Sequence, residues 1–181
     1  GQAILTKKKH NTGTDRIYEA FEMMGNSNID LVMNLQGDEP LMNIDDIKNL
    51  NNQMIKNNSV LGTLGSNTLN KNDCSNENIV KVETKKELDN LNFPEANCFK
   101  RKASNSHNIY HHLGIYCYQK DTLRKFVSYK QSHNEIKNKL EQLRALDNHI
   151  NINVALAKSS PIGVDTKEDF VAIKKIMEYK S

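Results

Sequence analysis

This 181-residue chain predicts an α/β domain of three layers, with helices on both faces of a mixed, mostly parallel sheet. Two observations carry that expectation. Short apolar runs alternate along the chain with segments whose apolar residues recur at helical spacing. One of the runs, Ile29 to Leu35, is apolar almost throughout, as a strand buried on both faces of a sheet would be. No repeat or linker interrupts the pattern, and residues 1–181 suit one domain able to bury a core.

The elements follow in order. Ala3 to Thr6 reads as a short strand, and Lys7 to Gly13 as a polar loop. A helix then starts at Thr14, with Ile17, Ala20, Phe21 and Met24 at helical spacing. After the Ile29 to Leu35 strand, the Asn43 side chain can cap a helix carrying Ile44, Ile47, Leu50 and Met54 on one stripe. Val60 to Leu64 and Ile79 to Val82 read as strands. The polar stretch from Asn70 to Asn78 reads as an exposed connection, and Lys85 to Pro94 as a loop or hairpin excursion. His112 to Tyr118 is a further strand, followed by a short helix from Asp121 to Val127. Ser132 and Glu135 form a capping box for a helix whose apolar positions are Ile136, Leu140, Leu143 and Leu146. Asn151 to Ala157 is the last strand. A second capping box, Thr166 with Asp169, opens a C-terminal helix with Phe170, Ile173 and Met177 inward.

Composition narrows the function classes. The net charge is +3, and the lysines are scattered among asparagines instead of forming a stripe, which disfavours nucleic-acid binding. No apolar run approaches the roughly 18 residues that span a bilayer, and Gly1-Gln2-Ala3-Ile4 is not a signal peptide, so a soluble cytoplasmic protein is expected. Cys74, Cys98 and Cys117 are odd in number and far apart, which points to reduced thiols and away from a disulfide framework or a metal knuckle.

The most informative stretch is Asn34-Leu35-Gln36-Gly37-Asp38-Glu39-Pro40, where the apolar run ends in a turn carrying an amide and two carboxylates. Open α/β sheets bind ligands beyond strand ends, and Asp38 and Glu39 are hard oxygen ligands suited to Mg²⁺ beside substrate phosphates. Gly37 would allow close backbone approach there. An acidic turn that merely favours the next helix N-terminus fits the same residues. Upstream, Gly13-Thr14-Asp15-Arg16 places a cation in a helix's first turn, and the Thr14 hydroxyl, turn amides and Arg16 could together hold a phosphate. Pairing of Arg16 with Asp15 or Glu19 on the surface is the competing account. Asp165 follows the last strand, so Asp38 and Asp165 could share one Mg²⁺ if their strands lie side by side; shaping the turn before Thr166 is equally open. Glu141 and Gln142 border an apolar helix face, and His111 and His112 precede an apolar strand, where a lone histidine is more often structural. Neither a P-loop, a dinucleotide fingerprint nor a nucleophile elbow occurs.

Taken in order, GTDR, NLQGDEP, HLGIYCY, LEQLRAL and GVDTKEDF resemble the signature series of the 3-deoxy-manno-octulosonate (Kdo) cytidylyltransferases, over His10 to about Ile176. The resemblance implies a nucleotide-diphosphosugar-transferase (GT-A-like) fold, usually a homodimer. In that family the anomeric hydroxyl of Kdo attacks the α-phosphate of CTP, and the CMP-Kdo formed serves lipopolysaccharide synthesis. It further implies Mg²⁺ held by Asp38 and Asp165, Gln36 near the reacting centre, and Arg16 with Thr14 on the nucleotide side. His112, Tyr116, Glu141 and Gln142 would line the Kdo pocket. Arg101, in Ala96-Asn97-Cys98-Phe99-Lys100-Arg101, is the counterpart of a family arginine suited to the sugar-acid carboxylate, although Lys100 stands where the family has serine.

The family also opens with a strand and a basic Pro/Gly loop that wraps the triphosphate. Nothing before Ala3 matches it, so the chain resembles an N-terminally truncated member, with an exposed sheet edge that would encourage association. Two alternatives therefore stand beside the enzyme: a non-catalytic sugar-acid or nucleotide-binding module, and a cytidylyltransferase for sialic acid.

Overall fold

The computed structural model describes residues 2–7, 9–25, 28–103, 107–161, 163–164 and 166–178. Thr12 opens helix α1 (Gly13–Met24) with a reciprocal capping box to Asp15, two residues before the expected start, and Gly25 closes it in the left-handed conformation at φ 61°. Strand β1 (Leu31–Asn34) leads to α2 (Ile44–Asn57), capped by Asn43 as the sequence indicated, and then to β2 (Leu61–Ser66). A short helix, α3 (Lys71–Ser75), lies in the stretch read as a plain connection, and β3 (Lys81–Thr84) follows. Strand β4 (Ala96–Lys100) was not anticipated; alternation is weak in Ala-Asn-Cys-Phe-Lys, and its pairing with β3 makes it a strand. The long β5 (Ile109–Gln119) runs directly into α4 (Lys120–Ser128). Then come α5 (His133–Asn138), α6 (Leu143–Asp147), β6 (Asn153–Ala157) and α7 (Lys167–Glu178).

The six strands form one sheet in the order β4-β3-β5-β2-β6, with β1 paired to β5 beside β3. It is mixed, but the expectation of a mostly parallel sheet is corrected. Among the described residues only β2 with β6 is parallel, and the other four strand pairings are antiparallel. Strands β1, β2, β3 and β6 do share one direction. The central β5 runs against them, so every ladder it makes is antiparallel. Apolar runs report burial on both faces and carry no sign of strand direction.

Helices cover both faces, which gives the three layers. On one face Phe21 of α1 and Leu123 and Phe126 of α4 pack with Tyr110, Tyr116 and Tyr118 of β5. On the other, Leu50 and Met54 of α2 pack on Leu64, Leu113, Ile115 and Cys117. Strand β5 supplies both cores by strict alternation. Three further expectations change. Ala3 to Thr6 is not a strand, and Leu5 there is 93% exposed. The helix expected from Ser132 is broken into α5 and α6 by Lys139 at φ 53°, leaving Ile136 exposed. In α7 Ile173 is buried, but Phe170 and Met177 are half exposed. Among the described residues no helix is long and apolar enough to cross a membrane.

Candidate active site

A cleft of about 760 Å³ opens at the end of β1, along the first half of β5. Its floor is built by close approach of the β1 turn to β5. The Gln36 Nε2 donates to the Gly114 carbonyl at 2.8 Å, and the Gly114 N–H donates to Glu39 Oε1 at 3.4 Å. A Cβ on Gly114 would stand 3.3 Å from Gln36 Nε2, so glycine here lets the two segments meet. Asp38 lines the same cleft, and its carbonyl accepts the Val164 N–H at 2.8 Å. Strands β1 and β6 are separated by β5 and β2, so the side-by-side placement proposed for the two aspartates is not found. The loop after β6 instead crosses to reach Asp38. Asp165 lies outside the described residues.

Two interactions steer that loop. The buried Asp46 carboxylate, in the first turn of α2, accepts from the Lys158 N–H (2.9 Å), the Ser159 N–H (3.3 Å) and the Ser159 hydroxyl (3.0 Å). Beyond it, Ser160 Oγ stands 2.6 Å from His111 Nδ1. Ser160 and His111 both line the cleft. Sequence reasoning missed Asp46 and Ser160, since their partners are more than 40 positions away.

On the far side the cleft is lined by His112, Tyr116, Glu141 and Gln142, from β5 and the α5 to α6 junction. His112 is 8% exposed and edge-on to Phe99 (centroids 5.0 Å, planes at 84°). Burial drops its pKa to about 3, with the neighbouring His111 adding to the effect, so the ring is neutral. Its tautomer follows from Thr63. That hydroxyl gives its proton to the Ile115 carbonyl at 2.7 Å, so it must accept from His112 Nε2–H at 3.0 Å. Burial raises the Tyr116 phenol well above its ordinary pKa, and it stays protonated. Burial also raises the Glu141 carboxyl above its ordinary range, and its Oε1 is buried without a hydrogen-bond partner among the described residues.

Arg101 reaches the cleft wall but spends much of its hydrogen-bonding capacity on the fold. Its Nε donates to the Asn138 carbonyl (3.0 Å), Nη1 to Glu77 (2.9 Å) and Nη2 to Lys139 (3.0 Å). Thr14 stands behind the cleft, 1% exposed, with its hydroxyl 3.4 Å from that of Tyr118. Arg16 is not brought to the cleft lining. Its Nη1 donates to Thr6 Oγ1 (2.7 Å) and to the Lys7 carbonyl (3.0 Å), tying the N-terminal segment to α1, and the competing surface pairing with Asp15 or Glu19 is not found either among the described residues. Among the described residues no three His, Cys, Asp or Glu side chains gather as a metal cluster.

The fold recurs in a UDP-glucose pyrophosphorylase, on which the chain superposes with a TM-score of 0.66 at 12% identity, covering 96% of this chain and 62% of that one, a likeness of fold alone. The cytidylyltransferase family model matches residues 1–152. The chain belongs to the 3-deoxy-manno-octulosonate cytidylyltransferase family. It is 35% identical to the 3-deoxy-manno-octulosonate cytidylyltransferase of Bartonella tribocorum, covering 96% of this chain and 72% of that protein. The one from Thermodesulfovibrio yellowstonii is 38% identical, covering 98% of this chain and 74% of that protein. The structure of a CMP:2-keto-3-deoxy-manno-octonic acid synthetase complexed with CTP superposes with a TM-score of 0.87 at 27% identity, over 100% of this chain and 74% of that one.

Proposed function

We propose that this protein transfers CMP from CTP to 3-deoxy-manno-octulosonate, releasing pyrophosphate. The observation that carries the reading is convergence. Gln36 and Asp38, His112 and Tyr116, and Glu141 and Gln142 come from three separate sequence blocks and line one cleft. A bond forms between the sugar's anomeric oxygen and the α-phosphorus, the bond from that phosphorus to the bridging oxygen of pyrophosphate breaks, and the hydroxyl proton is lost. Gln36 Nε2 is fixed on Gly114 O, which orients the amide and leaves Oε1 to accept from the sugar. Tyr116 remains a neutral donor, His112 keeps Nδ1 as its acceptor, and Glu141 Oε1 offers a buried acceptor to a sugar hydroxyl. Oriented groups of this kind hold the attacking oxygen in line, which is where such enzymes gain most of their rate.

Mg²⁺ is the proposed cofactor, with Asp38 and Asp165 as its protein ligands. The donor set fits: Mg²⁺ commonly takes one or two carboxylates and fills its octahedron with phosphate oxygens and water. When bound it neutralises charge on the phosphoryl oxygens and acidifies the hydroxyl. The protein is further proposed to act in the cytoplasm as a homodimer. The decisive assay is pyrophosphate release from CTP, Kdo and Mg²⁺ by the full-length natural protein. Asp38→Asn is expected to lower kcat about 100-fold or more, as loss of a metal-binding or charge-stabilising group does. Absence of turnover together with absence of Kdo binding by calorimetry would remove the reading. Turnover of sialic acid in preference to Kdo would replace it with the sister activity.

A further inference from the structure

The Asp38 carboxylate, which the reading above places on the metal, is exposed and makes no hydrogen bond or ion pair among the described residues. Carboxylates that hold a cation are normally steadied by a hydrogen-bonding partner behind them. Here the main chain takes that place. The Glu39 N–H donates to the Gln36 carbonyl at 3.2 Å, closing the turn around Gly37 and Asp38, and the Val164 N–H donates to the Asp38 carbonyl at 2.8 Å. Where the Asp38 side chain points therefore depends on where Val164 stands.

Val164 belongs to the loop that leaves β6, a strand separated from β1 by β2 and β5. The start of this loop is held by Asp46 at Lys158 and Ser159. Between there and Val164, one side-chain hydrogen bond ties the loop to the sheet among the described residues, that of Ser160 Oγ with His111 Nδ1 at 2.6 Å. His111 is a firm anchor, because it lies on β5 with Ser66 of β2 opposite it on one side and Lys81 of β3 on the other. The bond forms in either tautomer: the serine hydroxyl donates to a bare Nδ1 or accepts from Nδ1–H. Pro161 follows at once, and its ring limits how the chain can turn after the anchor. Ser160, Pro161, His111 and Asp38 all line the one cleft.

We propose that the Ser160–His111 hydrogen bond is the clasp that sets Asp38 for its cation, which makes Ser160 and His111 positioning residues for the metal. The inference rests on the reading of Asp38 as a ligand of Mg²⁺ during CMP transfer. Mn²⁺ is the probe, with its binding to the full-length natural protein followed by electron paramagnetic resonance in the absence and presence of CTP. Ser160→Ala is expected to weaken Mn²⁺ binding about tenfold, the lower end of what losing an outer partner of a metal ligand costs. His111→Phe keeps a flat ring, removes the nitrogen and weakens binding as much; the double variant loses no more than either single one, because both remove the same bond. Ser160→Thr and His111→Asn keep a hydrogen-bonding group at each position and retain most of the affinity. In turnover, the Mg²⁺ concentration for half-maximal rate rises by the same factor, while kcat at saturating Mg²⁺ stays within about twofold of the parent. A merely structural bond would lower the melting temperature and leave the Mn²⁺ affinity of the folded protein where it was. Unchanged Mn²⁺ affinity in Ser160→Ala and His111→Phe would overturn the proposal, and so would losses that add in the double variant. A parent protein that binds no Mn²⁺ with or without CTP, or that binds it as tightly after Asp38→Asn, would instead overturn the reading on which the proposal depends.

Discussion

Thr63 settles the state of His112, and with it part of the molecule's response to acid. The hydroxyl accepts from Nε2–H, and both burial and the neighbouring His111 disfavour the charged ring, so the proton that His112 would take up below its ordinary pKa has no compensation. In the unfolded chain His112 titrates near 6.5; in the folded protein it does so near 3. The unfolded state therefore binds more protons between these values, and stability falls as pH drops through that window, by up to about 1.4 kcal/mol per pH unit from this residue. Above 6.5 the ring is neutral in both states and adds no pH dependence. Urea unfolding at pH 7, 6 and 5 is expected to show a steeper loss for the parent than for His112→Asn. Parallel pH profiles would show that the ring is not kept neutral. That His112 begins an apolar strand was legible, but its burial and its tautomer depended on the fold, the tautomer on a threonine 49 residues away.

Loops and helix ends, more than strands, shape the cleft, and two cations, the buried Lys81 and the partly exposed Arg101, organise them. Lys81 is 1% exposed, and its three ammonium hydrogens meet the Asn76, Ile79 and Arg101 carbonyls at 2.6, 2.7 and 2.7 Å. Arg101 continues the chain of contacts to Glu77, Asn138 and Lys139, so one strand residue and its neighbour pin the α3 loop and the α5 terminus to the sheet. Lys81→Met keeps the side chain's length and leaves three carbonyls without their donor. A loss of about 2 to 4 kcal/mol in chemical denaturation is expected, and Kdo affinity should weaken with it, because the cleft wall loosens. A variant as stable as the parent would mean water replaces the ammonium at no cost. At this scale the sequence was informative where local chemistry decides. The Asn43 cap, the Ser132 box and the Asn153–Ala157 strand were all legible. It failed at Lys139, where apolar spacing alone argued for one continuous helix and a left-handed lysine broke it. It also failed at β4, which is a strand only because β3 offers it a ladder.

For the whole molecule, the open question of assembly has a direct measurement. The apolar residues Phe170, Val171 and Met177 remain exposed on α7, and apolar surface of this kind marks interfaces. Sedimentation equilibrium is expected to give about twice the 20.7 kDa chain mass; a species at the chain mass across micromolar concentrations would exclude the homodimer. A buried network also joins distant parts of the fold. Arg144, 1% exposed, binds Glu135 through two nitrogens at 2.8 and 2.6 Å, approaches Asp15 of α1 at 3.5 Å, and lies 4.6 Å over the Phe126 ring. Periodicity and turn chemistry in the sequence were enough to determine an α/β domain, its cores, most of its caps and the blocks that define its family, because these depend on residues a few positions apart. Strand direction, the use of Arg101 as a main-chain clamp, the crossing of the Gly163–Val164 turn to Asp38 and the exposure of Lys139 beside the cleft were decided by the tertiary structure alone. Each depends on which distant segment β5 and the α5 terminus happen to meet, and local sequence carries no record of that.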